Sequence, residues 1–188
     1  MAGLIPTIRP ATVADMAAVA ALYGREVTGG TASFELEPPS VAEMAARFDA
    51  VRDKNLPWLI GEIDGAFAGY AYLSPFRPRA AYRYGVEVSV YVEEAARGRG
   101  VARALMTALI GAARDKGLRH VIAAISQSAT SDASIALHRS LGFGTAGVYR
   151  QVGWKHDRWL DVTLMQLDLS TDGAPPTGEG LSLGGGLA

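Results

Sequence analysis

Apolar and polar residues alternate in two rhythms along this chain, and each rhythm marks a kind of element. Met16, Val19, Ala20, Tyr23 and Val27 recur at the three- and four-residue steps of one helix face, after a short extended start at "TIRP". Thr12 with Asp15 three residues on resembles a capping box for that helix. Val41, Met44, Ala45 and Phe48 repeat the helical stripe, with Ser40 as cap and Glu43 as its answering residue. Between them "GGTASFELEPP" reads as a loop carrying Phe34.

The rhythm then shortens to two. "PWLIGEIDGAFAGYAYLSPF" is two strand runs meeting at Asp64-Gly65, a strong hairpin signal. In "YGVEVSVYV", Val86, Val88, Val90 and Val92 fall on one face and Glu87, Ser89 and Tyr91 on the other. A helix follows, running through Lys116 and stopped by Gly117. "RHVIAAIS" is an apolar strand, "SDASIALHRSLGF" a short helix ending at Gly142, and "GVYRQVGWKHDRWLDVTLMQLDL" two strands about a polar turn. The predicted order is β-α-α-β-β-β-α-β-α-β-β, an α/β mixed sheet with helices on both faces. From Ser170 the chain turns Gly/Pro/Ser-rich, so residues 170–188 are expected to be a disordered tail behind a single domain, 1–169. No internal repeat interrupts this plan.

Composition narrows the function classes. The 188 residues are 49% apolar and 20% charged with a net charge of −1, which argues against bulk affinity for nucleic acid or an anionic membrane. With no cysteine, disulfides, thiolate metal sites and Cys nucleophiles are excluded. Three scattered histidines, without H-E-x-x-H or a 2-His-carboxylate spacing, support no metal site. The start of the chain has no basic segment leading into an apolar one, and no apolar run approaches the roughly 18 residues of a membrane span. A cytoplasmic protein is expected.

Any anion site must therefore be local, and "RGRGVA" at residues 97–102 is where one is expected. A helix start leaves backbone N–H groups without partners and carries about half a positive charge. Gly98 and Gly100 leave those donors uncovered, while Arg97, Arg99 and Arg103 add positive charge. A diphosphate suits that arrangement; a tight turn with solvated arginines is the plainer reading. Neither a P-loop nor a dinucleotide fingerprint fits: no Gly-Lys-Ser or Gly-Lys-Thr occurs, and Arg103 stands where a third glycine belongs.

"VSVYVEEAARGRGVARALM" resembles the acetyl-CoA signature of the GNAT N-acetyltransferases, R/Q-x-x-G-x-G/A after an apolar strand, with Arg97, Gly100 and Ala102 as the matching residues. "TASFELEPP", "YGVEVSVYV", "SIALHRSLGF" and "GWKHDRWLDVTLMQLDL" are similar, in order, to blocks of the phosphinothricin/methionine sulfoximine acetyltransferase subgroup, from about Ile8 to Leu169. The resemblance implies a GNAT-like, mostly antiparallel central sheet and acetyl-CoA as co-substrate. It implies pairing of the pantetheine arm with Val90, Tyr91 and Val92, and a diphosphate cradle of Gly98, Arg99, Gly100, Val101, Ala102 and Arg103 beside Arg97. Glu87 aligns with the subgroup's general base and His138 with an assisting histidine, at a position where other members carry a tyrosine that protonates the thiolate. Phe34, Arg77, Pro78, Arg79, Glu87, Val88 and Ser89 align with the parts that line the acceptor. Many members use an Asn in Asn-x-x-Ser on the cofactor; here Ser131 holds that spacing from Ser134, with Thr130 and Asp132 as neighbours able to substitute. The acceptor implied is a small amino-acid-like amine, and the assembly a homodimer.

The chemistry also stands on the residues. An α-amino group of pKa about 8 is readily made neutral near pH 7, and a positioned base adds about 10²–10⁴ in rate. Glu87 lies on the polar face of its strand, shortly before the anion turn; a solvated strand carboxylate is the bland alternative. Arg77 and Arg79 suit an anionic group on the acceptor, and equally suit solvent. Tyr149, Trp154 and Trp159 read as sheet packing or a dimer seam. Acetylation of a protein N-terminus or lysine, and a non-catalytic acyl-CoA-binding module, remain alternatives.

Overall fold

A computed structural model of the chain describes residues 5–170, 172–176 and 178–183. Residues 1–4, 171, 177 and 184–188, included in the expected domain and tail, lie outside the described residues. The elements follow the predicted order: β1 Thr7–Pro10, α1 Met16–Gly29, α2 Val41–Asp53, β2 Trp58–Ile63, β3 Ala66–Pro75, β4 Gly85–Val92, α3 Val101–Asp115, β5 His120–Ser126, α4 Ser131–Ser140, β6 Gly144–Lys155 and β7 Arg158–Asp168. The seven strands form one sheet in the order β1-β2-β3-β4-β5-β7-β6. Every pairing is antiparallel except β4 with β5. This is the mixed, mostly antiparallel GNAT-like sheet expected.

Local chemistry sets the element ends. The Asp15 carboxylate accepts hydrogen bonds from the Thr12 backbone N–H and hydroxyl at 2.7 and 2.9 Å. At α2 the box closes both ways: the Glu43 N–H donates to Ser40 Oγ at 3.2 Å and the Ser40 N–H to Glu43 Oε2 at 2.6 Å. The predicted stripe of α1 is buried throughout, joined by Leu22. In α2 Met44 and Phe48 are buried with Val51, whereas Val41, in the first turn, faces solvent. Asp64 and Gly65 both take positive φ, 53° and 75°, which matches the twist of the hairpin they close.

The two faces of the sheet carry different helices. Val86, Val88 and Leu73 are buried on the face covered by α3. A Cβ on Gly61 would stand 2.9 Å from Val101 of that helix. On the opposite face Tyr23 of α1 meets Tyr91 edge-on, and Phe48 of α2 meets Trp58 likewise. Trp58, Tyr70, Tyr72 and Tyr91 stack along that face. Glu87 shares it, further along β4.

In the segment expected as a disordered tail, residues 178–183 lie against the start of β4. Leu181 is buried in the main core. Its N–H donates to the Arg83 carbonyl at 2.8 Å, Arg83 Nε donates to the Glu179 carbonyl at 2.9 Å, and the Tyr84 hydroxyl donates to the Gly178 carbonyl at 2.6 Å.

Candidate active site

The parallel pair at the centre of the sheet is short. β4 and β5 are joined at Gly85–His120, Val86–Val121 and Glu87–Ile122. Beyond that rung β4 stays with β3 as far as Val92, and β5 stays with β7 as far as Ser126. The sheet therefore forks. From Val88 and Ala123 onward the facing edges carry backbone donors and acceptors with no strand opposite, which an extended ligand bearing amides can satisfy as an added strand does. Val90, Tyr91 and Val92 lie on the β4 side of the fork.

At the end of β4 the chain makes a single tight turn, Glu94–Ala96, and passes through Arg97–Gly100 into α3. Gly98 and Gly100 have φ of 74° and 83°, a region that L side chains enter at a cost of about 1–2 kcal/mol. No atom lies within 4 Å of where a Cβ would stand on either. The first bond of α3 runs from the Ala104 N–H to the Gly100 carbonyl, so the N–H groups of Val101, Ala102 and Arg103 have no acceptor within the helix. Glycine is needed here for the turn itself as well as for clearance.

Two of the three arginines are tied to other elements. Arg97 pairs with Glu26 of α1 at 2.9 Å and Arg103 donates to Ser140 Oγ of α4 at 2.8 Å, whereas the Arg99 side chain has no partner among the described residues. Arg97 thus ties the turn to α1, and Glu26 offsets part of its charge. These groups suit an acetyl-CoA molecule with its twin phosphates at the turn and its extended arm along the fork. Ser131 Oγ donates to the Ser128 carbonyl at 3.0 Å and the Ser134 N–H to the Thr130 carbonyl at 3.0 Å, so both residues stand at the start of α4. A cleft of about 360 Å³ at the mouth of the fork is lined by Glu26, Glu93, Arg97, Ser128, Thr130 and Arg158 among others.

Glu87 stands at the apex. It borders a cleft of about 340 Å³ shared with Phe76, Arg77, Ile122, Tyr149 and Gln166. Burial alone pushes its carboxyl pKa above 4.5. Its side chain has no hydrogen-bond or ion-pair partner among the described residues. The Arg77 guanidinium lies over the rings of Phe76 and Tyr82, at 5.1 and 5.6 Å from their centres. Of the other acceptor-lining residues expected, Pro78 and Arg79 are exposed and lie outside this cleft. Val88 turns its side chain into the core, while Ser89 pairs with Tyr72 of β3.

Phe34 is not among the residues lining the cleft at Glu87; it packs so tightly on Gly153 that a Cβ there would clash with its ring. The loop that carries it is stitched from four sides. Tyr23 Oη bonds Ser33 Oγ and Glu35 Oε1 at 2.8 Å each, and Arg47 forks onto the Glu35 carboxylate at 2.7 and 3.0 Å. Thr31 Oγ1 donates to the Gln127 carbonyl at 2.7 Å, and Lys155 Nζ, only 5% exposed as a residue, donates to the Ser33 carbonyl at 2.7 Å. Arg47 and Lys155 were not foreseen, and no local signal marks them.

His138 is 2% exposed, edge-on to Phe143, and its Nδ1 lies 2.8 Å from the Ser134 carbonyl. A carbonyl only accepts, so Nδ1 carries the proton and the lone pair of the neutral ring is on Nε2. Burial lowers the ring's pKa, favouring that neutral form. Among the described residues no cluster of three or more His, Asp or Glu side chains could hold a metal ion, and no helix is long and apolar enough to cross a membrane.

Residues 21–143 match the acetyltransferase (GNAT) family. The phosphinothricin N-acetyltransferase of Alcaligenes faecalis is 44% identical over 164 residues, 87% of this chain and 83% of that protein. The L-methionine sulfoximine/L-methionine sulfone acetyltransferase of Pseudomonas paraeruginosa is 41% identical over 171 residues, 90% of this chain and 98% of that protein. The solved phosphinothricin acetyltransferase of Sinorhizobium meliloti, in complex with acetyl-CoA, superposes with a TM-score of 0.87 at 41% identity, over 92% of this chain and 93% of that one.

Proposed function

The chain belongs to the acetyltransferase (GNAT) family and is an N-acetyltransferase, and from that premise we propose that it moves the acetyl group of acetyl-CoA onto the amine of a small amino-acid-like acceptor of the phosphinothricin, methionine sulfoximine or methionine sulfone type, with Glu87 as general base. The observation that carries the reading is the fork of the sheet, with a half-buried, unpaired carboxylate at its apex and a glycine-built helix start at its end. We assign the acetyltransferase domain to residues 1–169, with residues 178–183 packed back onto it through Leu181.

Acetyl-CoA supplies the thioester carbonyl. The backbone edge of Val90–Val92 orients its arm, and the open N–H groups of Val101–Arg103 with Arg99 hold the phosphates. The Val90 N–H donates to the carbonyl oxygen that gains charge as the amine adds. Glu87, directly or through one water, takes the proton that the attacking nitrogen must lose, and burial raises its basicity toward that of the amine. Arg77 draws the acceptor's anionic group into the same cleft. His138, with its proton committed to Ser134, acts as an acceptor at Nε2, and solvent returns a proton to the departing thiolate.

A homodimer is part of this proposal. β6 is an edge strand, and Tyr149, Val152, Trp154 and its neighbour Trp159 stay exposed, the tryptophans at 54% each. Sedimentation of the purified protein tests that point. The activity is tested by thiol release from acetyl-CoA with the three acceptors: acceptor-dependent release is expected, and none across the panel overturns the reading.

A further inference from the structure

The cleft at Glu87 is lined on one side by Phe76 and Arg77, the first residues of the loop 76–84. Within this stretch the Tyr82 N–H donates to the Arg79 carbonyl and the Arg83 N–H to that of Ala80, while the Tyr84 carbonyl accepts from the Arg119 N–H just before β5. Arg77 rests on Phe76 and Tyr82, which meet edge-on at 5.6 Å. The position of Arg77 therefore depends on Tyr82, and the position of Tyr82 on whatever holds Arg83 and Tyr84.

Part of what holds them comes from the far end of the chain. Residues 178–181 accept from the Arg83 side chain and the Tyr84 hydroxyl and donate to the Arg83 carbonyl. Leu181 is buried in the core and Leu183 packs against it. Gly180 sits at φ 71°, and a Cβ there would stand 2.9 Å from Arg83 Cγ, from its carbonyl oxygen and from Tyr84 Cε1. Such a fit is available only to glycine. Nearer the domain, Arg119 donates to Ser170 Oγ at 3.0 Å and to the Asp172 carboxylate at 3.1 Å, directing the chain toward this side of the sheet.

We propose that residues 178–183 form a strap that sets acceptor specificity by fixing the 76–84 loop, and through it the Arg77 guanidinium, at the cleft. The strap touches no reacting group; its residues are positioning residues. The inference rests on Arg77 being the acceptor's anion contact.

The test uses the full chain, with methionine sulfone as acceptor because its carboxylate is its only anionic group. Gly180→Val and Tyr84→Phe should raise KM for methionine sulfone on the order of tenfold for the first and less for the second. Neither should change kcat at saturation or the Kd for acetyl-CoA. In an Arg77→Ala background neither should raise KM further. Tyr84→Phe removes one hydroxyl at the edge of the loop, so the test stands even if Gly180→Val does not fold. An unchanged KM in both strap variants, or an equal rise with and without Arg77, overturns the strap. An unchanged KM in Arg77→Ala alone overturns the anion contact itself and the strap with it.

Discussion

Glu87 faces Ile122 across the last rung that joins β4 to β5, so the carboxylate stands where the sheet begins to open. One more rung would give Val88 a partner on β5 and move the opening away from Glu87; one fewer would leave Glu87 on a free edge. The fork thus brings a ligand laid along β4 next to the base, while the ladder below it fixes the strand that carries the base.

Removing the carboxylate should therefore leave binding intact and impair the chemistry. Glu87→Gln keeps the side chain's size and should lower kcat by about 10²–10⁴, the range of a positioned base. The Kd for acetyl-CoA, measured by calorimetry, should not move. Loss of cofactor affinity in this variant would mean that Glu87 supports the fork and is not its base.

The same carboxyl makes opposite demands on activity and stability. Burial raises its pKa in the folded chain above 4.5, so the folded state holds the proton more tightly than the unfolded one. As pH rises from 4.5 through the folded value, stability falls, and above it the penalty is complete. Glu87→Gln should then melt higher than the parent at pH 7, by about 2–4 °C for each kcal/mol relieved, and the gap should close near pH 4. In the kcat/KM profile the parent should show an acidic limb displaced above 4.5 that the variant lacks. The amine's own limb, near pH 8 for an α-amino group, should persist in both.

Gly100 tests the other end of the fork. Its φ of 83° means that Gly100→Ala carries a left-handed alanine at about 1–2 kcal/mol, and the strain falls on the start of α3. Acetyl-CoA should bind roughly tenfold more weakly, while acceptor KM at saturating cofactor stays the same. Gly111 of the same helix also has open space about it but no positive φ, so Gly111→Ala should leave cofactor binding alone.

Much of this site is readable in the chain and some of it is not, for a physical reason. The valine alternation of β4, the arginine-glycine turn and the Ser40–Glu43 box are local patterns, set by neighbours within a few residues. The fork is not local: nothing in "RHVIAAIS" says that β5 leaves β4 after Ile122. The cleft likewise joins Glu87 to Tyr149 and Gln166 from strands late in the chain, and Arg97 meets a glutamate on α1. The turn at His156 and Asp157 takes positive φ at both residues without a glycine, so its polar letters alone could not fix its geometry.

The Phe34 loop offers a test that avoids the reacting groups altogether. Its backbone is pinned through Thr31 and Ser33 to β5 and β6, so the ring cannot be moved by shifting the whole loop without breaking the Lys155 and Gln127 bonds. Gly153→Ala puts a methyl where the ring lies and should expel the side chain alone. If Phe34 lines the acceptor, KM for the acceptor should rise several-fold, kcat should hold, and acetyl-CoA affinity should be untouched, because the ring packs on Gly153 and does not line the cleft at Arg97. Phe34→Ala should give the same rise, and the double variant no more than either, since both remove one ring from one place. Additive effects in that cycle, read from steady-state KM values, would show that Gly153 acts on the hairpin between β6 and β7 by another route and that Phe34 is packing.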